Sequence, residues 1–284
     1  MLDVDRDSSA RQGRRSRPRW WTQVALIGAV LWAYDAINNL NPLRQATAMA
    51  HGMGVMQLEV RLHLDPELGL NRWLGAHLAI GRALGDYYDL AHFGVTLAVL
   101  FWVWWRHPGR YRMLRDALLG INIIGFAIFW LFPVAPPRML SSFGFIDIVA
   151  AAHSVGAWSS GSLASHANEY AAMPSLHVAW AIWCALAVWL IRKDRLSRGL
   201  AITYAVATAV VVLATANHYF LDVIAGVATA AAAVAAAARI RRVRSRHAEG
   251  LEDVEAGSSQ PAPRLARRPW VRSRPTGRND ALAR

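Results

Sequence analysis

Residues 199–238 read GLAITYAVATAVVVLATANHYFLDVIAGVATAAAAVAAAA, a continuous apolar stretch with a polar break at Thr215-Ala216-Asn217-His218. As one helix it would be about 60 Å long, twice the ~30 Å of hydrocarbon in a bilayer. The chain must therefore turn back at the break, giving two antiparallel spans at roughly 199–215 and 218–238. Working outward, four more apolar runs precede them, at 20–37, 87–105, 117–134 and 171–191. The pattern predicts an all-α, polytopic membrane protein with six transmembrane helices.

Composition agrees. Hydrophobic residues make up 55% of the 284 positions and charged residues 18%, against about 25% charged in ordinary globular domains. Many of the 13 tryptophans sit near the ends of apolar runs, where interfacial aromatics belong. A water-soluble single domain is excluded. The net charge of +12 raises nucleic acid as a partner, but the basic residues lie in the tails and short connecting loops, so none is expected. Cys184 is the single cysteine, which rules out an intrachain disulfide and a cysteine-built metal site. No cleavable signal peptide is expected, because six arginines precede the first charge-free stretch at Trp20 and no small-x-small site follows.

Residues 1–19 and 239–284 read as disordered basic tails around a membrane domain at 20–238. Within 38–86, Met49, Met53, Met56 and Val60 have helical spacing, whereas Leu58 to Asp65 alternates with a strand period. A lone strand would have no partner, so interfacial helices are expected. Asp65-Pro66-Glu67 has the form of a helix start.

Charge sets the orientation. With the N-terminus in the cytoplasm and spans alternating, 26 Lys and Arg fall on the cytoplasmic side and five (Arg44, Arg61, Arg72, Arg82, Arg138) on the other. The positive-inside rule then places both termini in the cytoplasm of a multi-pass cell-membrane protein.

Three segments break the apolar pattern in chemically specific ways. Phe132-Pro133-Val134-Ala135-Pro136-Pro137-Arg138 ends the third span and sets at its rim a guanidinium able to grip a phosphate bidentately. Met173-Pro174-Ser175-Leu176-His177 opens the fourth, with proline suited to a first turn and free amides where anions bind. Asn217-His218-Tyr219-Phe220-Leu221-Asp222, followed by Gly226, places His218, Asp222 and Gly226 four residues apart on one helix face. Asp222 can hold one imidazole nitrogen of His218 and leave the other free. An aspartate within a span costs about 2.5–3.5 kcal/mol on insertion scales, which argues for a partner and a function. Alternation of the spans brings Arg138, His177, His218 and Asp222 to the same membrane face.

The segments Pro-Pro-Arg, Pro-Ser-Leu-His and His-Tyr-Phe-Leu-Asp, spread over residues 132–226, resemble the phosphatidic acid phosphatase type 2 / vanadium haloperoxidase superfamily. They look most like its inositol-phosphotransferase-type branch, which includes inositol phosphorylceramide synthases. Leu176 stands where the superfamily usually has glycine, and Val211-Val212 where it has a Ser-Arg pair. The resemblance implies a metal-independent lipid phosphotransferase or phosphatase that needs no cofactor and works through a phosphohistidine. His218 would be the nucleophile, Asp222 its orienting partner and His177 the general acid and base. Arg138, Ser175 and Leu176 would hold the phosphate. The partners implied are a lipid phosphate or phospholipid and the bilayer, with the site on the extracytoplasmic face.

Tyr88, Asp89 and His92, near the start of the second span, and Asn217 are candidates for a headgroup pocket; ordinary interfacial placement explains the first three as well. Transfer to an acceptor alcohol and simple hydrolysis both fit the motifs. A different class of function, a transporter using His218 and Asp222 as a proton relay, would spread polar residues through the depth of the bilayer. The sequence gathers them at one face.

Overall fold

The computed structural model describes residues 18–38, 44–154 and 169–258. Most of both expected tails, and the middle of the 135–170 segment, lie outside the described residues. Nine α-helices occur among the described residues: α1 (Trp20–Asn38), α2 (Gln45–Leu62), α3 (Pro66–Gly75), α4 (Leu78–Arg106), α5 (Pro108–Leu131), α6 (Ile148–Ala151), α7 (Leu176–Ile191), α8 (Arg195–Ala214) and α9 (Phe220–Ser258). The all-helical expectation holds. Three of the helices, Pro108–Leu131, Arg195–Ala214 and Phe220–Arg244, are long and apolar enough to cross a membrane, and Leu176–Ile191 is a shorter apolar helix. The chain divides into a compact unit, Met1–Arg241, and a second beginning at Arg242; the site lies in the first.

Local chemistry sets the boundaries. Pro108 occupies the first turn of α5 directly after His107, the residue that ends α4. Asp194 caps α8 by accepting the Ser197 N–H at 2.8 Å, and Ser175 caps α7 by accepting that of Val178 at 3.4 Å. The turn expected at 215–218 is present: α8 ends at Ala214, Ala216 takes a left-handed φ of 54°, and α9 begins at Phe220. In 38–86 the helical spacing prevails over the strand alternation. α2 runs to Leu62, His63 closes it with φ 55°, and α3 starts with Pro66 behind Asp65. The Asp65 side chain makes no capping bond. Two spans are longer than their apolar runs. α4 begins at Leu78 rather than 87, and α9 continues past 238 to Ser258.

The core lies where α4, α5, α7 and α9 meet. Trp183 is fully buried there and donates its indole N–H to the Leu114 carbonyl at 2.8 Å. Small residues let the helices close: Ala179, Ala187, Ala230 and Ala233 are all buried in this cluster. Outward faces are apolar too, with Trp32, Ile123, Leu131 and Leu196 all more than two-thirds exposed. A bundle apolar inside and out is built for lipid rather than water.

Candidate active site

Val134 donates its N–H to Tyr170 O and accepts from Ala172 N, an isolated parallel bridge that ties 133–138 to 170–175. Next to it, Arg138 N donates to Ala216 O at 2.9 Å, joining the proline-rich segment to the α8–α9 turn. Arg138, the start of α7 and His218 thus arrive at one place from three parts of the chain.

They surround a cavity of about 340 Å³. Its polar wall carries Arg138, Asp147, His177, Asn217 and His218, with Tyr88, Asp89 and His92 of α4. Its apolar wall carries Val30 and Leu31 of α1, Phe93 of α4, and Phe126 and Phe129 of α5. Of the candidate catalytic, phosphate-binding and pocket residues named from the sequence, all but Ser175 and Asp222 line this space.

His218 lies just before α9. Its Nδ1 is 2.8 Å from the Ala172 carbonyl oxygen and 3.4 Å from Asp222 Oδ2. A carbonyl only accepts, so Nδ1 carries the proton and Nε2 presents its lone pair. Nε2 is buried and has no hydrogen-bond partner among the described residues. The shorter bond therefore comes from a backbone carbonyl, where the sequence pointed to Asp222 alone. Asp222 is fully buried, and its Oδ2 also accepts the Tyr219 N–H at 2.9 Å, so it holds the turn as well as the ring.

The His177 ring meets that of His218 edge-on with centroids 5.5 Å apart. It stacks on Tyr88 at 4.3 Å and touches His92 at 4.1 Å. Its Nε2 is likewise buried without a partner among the described residues. Both imidazoles thus line one cavity, and each keeps a buried nitrogen without a partner among the described residues. The Arg138 guanidinium is held by Asn217, whose Oδ1 accepts from Nη1 at 2.6 Å, and by Asp147, 3.5 Å from Nε.

Two expected phosphate ligands fare differently. Leu176 lines the cavity. Ser175 is fully buried, its Oγ faces Val178 N and its own N–H donates to the Asp222 carbonyl at 3.1 Å. Its hydroxyl caps α7 rather than facing the cavity. Gly226 allows this close crossing, since a Cβ there would lie 2.5 Å from the Ser175 carbonyl oxygen.

Sequence reading missed several wall residues: Tyr34, Asn122, Asp147, Glu169 and Trp180. Asn122 left a readable mark, an amide in the middle of an apolar span. Arg138 is the one cation among the described residues lining the cavity, against the carboxyls of Asp89, Asp147 and Glu169. No group of three His, Cys, Asp or Glu side chains among the described residues is arranged to hold a metal ion.

Comparison with known proteins gives a family. Residues 53–236 match the model of the PAP2 superfamily. A curated relative, phosphoinositol dihydroceramide synthase of Bacteroides thetaiotaomicron, is 30% identical over 180 residues, covering 51% of this chain and 56% of that protein. The chain thus spans little more than half the length of that relative. No solved structure matches.

Proposed function

This chain belongs to the PAP2 superfamily, and from that premise we propose that it is a lipid phosphotransferase that works through a phosphohistidine on His218. The observation that carries the reading is the pair of unpartnered imidazole nitrogens, on His177 and His218, beside a tethered arginine in a half-apolar cavity.

In this scheme the lipid's phosphate lies against Arg138 and the first-turn amides of α7, where an anion is favoured. Its chains extend along the wall of α1 and α5. His218 Nε2 attacks phosphorus. An N–P bond forms, the bond to the leaving oxygen breaks, and His177 gives its proton to that oxygen. The Nδ1 proton stays with the Ala172 carbonyl, and Asp222 balances the positive charge that develops on the ring. An acceptor alcohol then attacks phosphorus, His177 takes the alcohol's proton, and the N–P bond breaks. Most of the acceleration comes from placing the groups and stabilising charge on the non-bridging oxygens.

The donor is assigned as a phosphoinositol lipid and the acceptor as an N-acyl amino alcohol, following the name of the relative. Three carboxyls around one guanidinium suit a polyhydroxylated headgroup, whose hydroxyls donate to them, better than a bare phosphate. If water replaces the alcohol and a lipid phosphomonoester replaces the donor, the same site is a lipid phosphatase. Six spans, cytoplasmic termini and an extracytoplasmic site complete the proposal, and the arginine-rich loops support that orientation.

The test uses detergent-purified protein with phosphatidylinositol, with and without ceramide, with EDTA, beside His218→Ala. A ceramide-dependent phospholipid product that resists EDTA and is lost in His218→Ala is expected. Absence of product and of any acid-labile labelled histidine, with folded protein, would overturn the reading. Coupled proton movement without turnover would favour the relay transporter.

A further inference from the structure

Two acidic residues that the scheme does not use lie behind the site. Glu59 of α2 and Glu67 of α3 are both fully buried. Glu59 Oε1 accepts the N–H of Leu221 at 2.6 Å. That amide belongs to the first turn of α9, where N–H groups have no partner within the helix. Asp222 satisfies the neighbouring Tyr219 N–H from within the turn. Glu59 reaches in from another helix to satisfy this one.

Glu59 Oε2 and both carboxyl oxygens of Glu67 are buried with no hydrogen-bond partner among the described residues, and the two carboxyls are electrostatic neighbours. Neighbouring buried carboxylates repel, so the ionised form is disfavoured. Burial pushes Glu59 up to about 10, and it raises Glu67 as well. The titratable groups facing the pair are Asp65 at the start of α3 and Asp222 and Tyr219 at the start of α9, all acidic. A protonated Glu59 adds no negative charge behind Asp222.

We propose that Glu59 is a positioning residue for His218 and Asp222: by accepting the Leu221 N–H, its buried carboxyl fixes the first turn of α9 and with it the orientation of the attacking imidazole. Glu59 does not line the cavity, so it acts through the backbone and not on the substrate. The inference rests on the phosphotransferase reading for its catalytic consequence, but its structural content can be measured separately.

The experiment compares the full chain in detergent with Glu59→Gln, Glu59→Ala and Glu59→Asp. The readouts are transfer from phosphatidylinositol to ceramide and the ¹⁵N spectrum of labelled histidines. Glutamine keeps an uncharged oxygen for Leu221, and is expected to hold kcat within about threefold of wild type. Alanine is expected to lower kcat about tenfold or more with KM little changed, as a displaced catalytic group does. In the alanine variant the His218 ¹⁵N signals should change from the single Nδ1–H tautomer to a mixture. A folded Glu59→Ala with wild-type kcat and tautomer would overturn the proposal, as would Glu59→Gln impaired as much as alanine. Should alanine not fold, aspartate, shorter by one methylene, carries the same test. If the wild type transfers nothing, the functional reading fails, while the tautomer readout still decides the positioning role.

Discussion

Gly226 offers the sharpest test of how the two histidines are held. An alanine Cβ at this position would lie 2.5 Å from the carbonyl oxygen of Ser175 and 3.4 Å from Val178 Cβ. An ordinary carbon–oxygen contact is about 3.3 Å or more, so the start of α7 and the first turns of α9 must separate by roughly 0.8 Å. The obstacle is backbone and cannot rotate away. Nor can the crossing slide freely, because Ser175 N also bonds the Asp222 carbonyl. His177 rides on α7 and Asp222 on α9, so the separation goes directly into the gap between the imidazoles. Overpacking of this kind costs about 1–3 kcal/mol of stability, and an ångström of misplacement costs about a hundredfold in rate. Gly226→Ala is therefore expected to lower the melting temperature by several degrees and kcat by about ten- to a hundredfold. Melting is read by intrinsic fluorescence in detergent, and transfer by lipid product per unit of folded protein. Gly54→Ala on α2 is the control, since nothing lies within 4 Å of its added carbon; it should keep wild-type rate and stability. A Gly226→Ala protein with wild-type kcat would show that the α7–α9 crossing does not set the geometry of the site.

Ser175→Ala should remove a helix cap and little else. Its hydroxyl faces Val178 N at 3.4 Å, so a loss of about 1 kcal/mol of stability with kcat within about threefold is expected; a hundredfold loss would restore Ser175 as a phosphate ligand. Glu59 makes stability depend on pH. Burial raises its carboxyl from 4.5 to about 10, so across that range the folded protein holds a proton that the unfolded chain has lost. Its contribution is complete below pH 4.5 and declines as pH rises toward 10. The melting temperature should fall between pH 6 and 9.5 and fall less in Glu59→Gln; equal slopes would refute the assignment. Because Cys184 is the single cysteine and is buried, cysteines placed at exposed sites report topology cleanly. Ser142→Cys, at the active-site end, should react with an impermeant maleimide on intact cells, and Lys193→Cys, at the other end, only after permeabilisation; the reverse pattern would invert the proposed orientation.

What could be read from the sequence follows from what a bilayer makes costly. A histidine and an aspartate inside an apolar stretch stand out because each must be compensated, and the 215–218 turn is legible because the apolar run at 199–238, as one helix, would be twice the membrane's thickness. Span alternation puts Arg138, His177 and His218 at one face from the sequence; that they line one cavity is seen only in the structure. Other features carry no such mark. The carbonyl of Ala172 that fixes the His218 tautomer is backbone, and any residue supplies one. Glu59 and Glu67 sit in 38–86, where polar residues are frequent and a glutamate attracts no notice, so their burial could be seen only once α2 and α3 were packed against the start of α9. The early start of α4 has a similar cause. Its first turns are interrupted by Arg82 and Asp86, and Gly81 and Gly85 admit Ile148 and Ser154, where an added Cβ would lie 3.1 and 2.8 Å from them. Packing there extends the helix beyond its hydrophobic run.

The departure of Leu176 from the superfamily's usual glycine has its explanation on another helix. A Cβ on Gly125 of α5 would lie 2.6 Å from the Leu176 side chain. The volume added at the mouth of α7 is thus taken up by a glycine on the facing helix, and α7 approaches α5 closely despite the larger residue. The leucine also forms part of the cavity wall, where a glycine would leave backbone exposed to the ligand. This puts an apolar side chain beside His177 in the cavity wall. In the phosphotransferase reading, such a wall favours an acceptor that arrives from the bilayer with its chain already in hydrocarbon, and disfavours water at the same position.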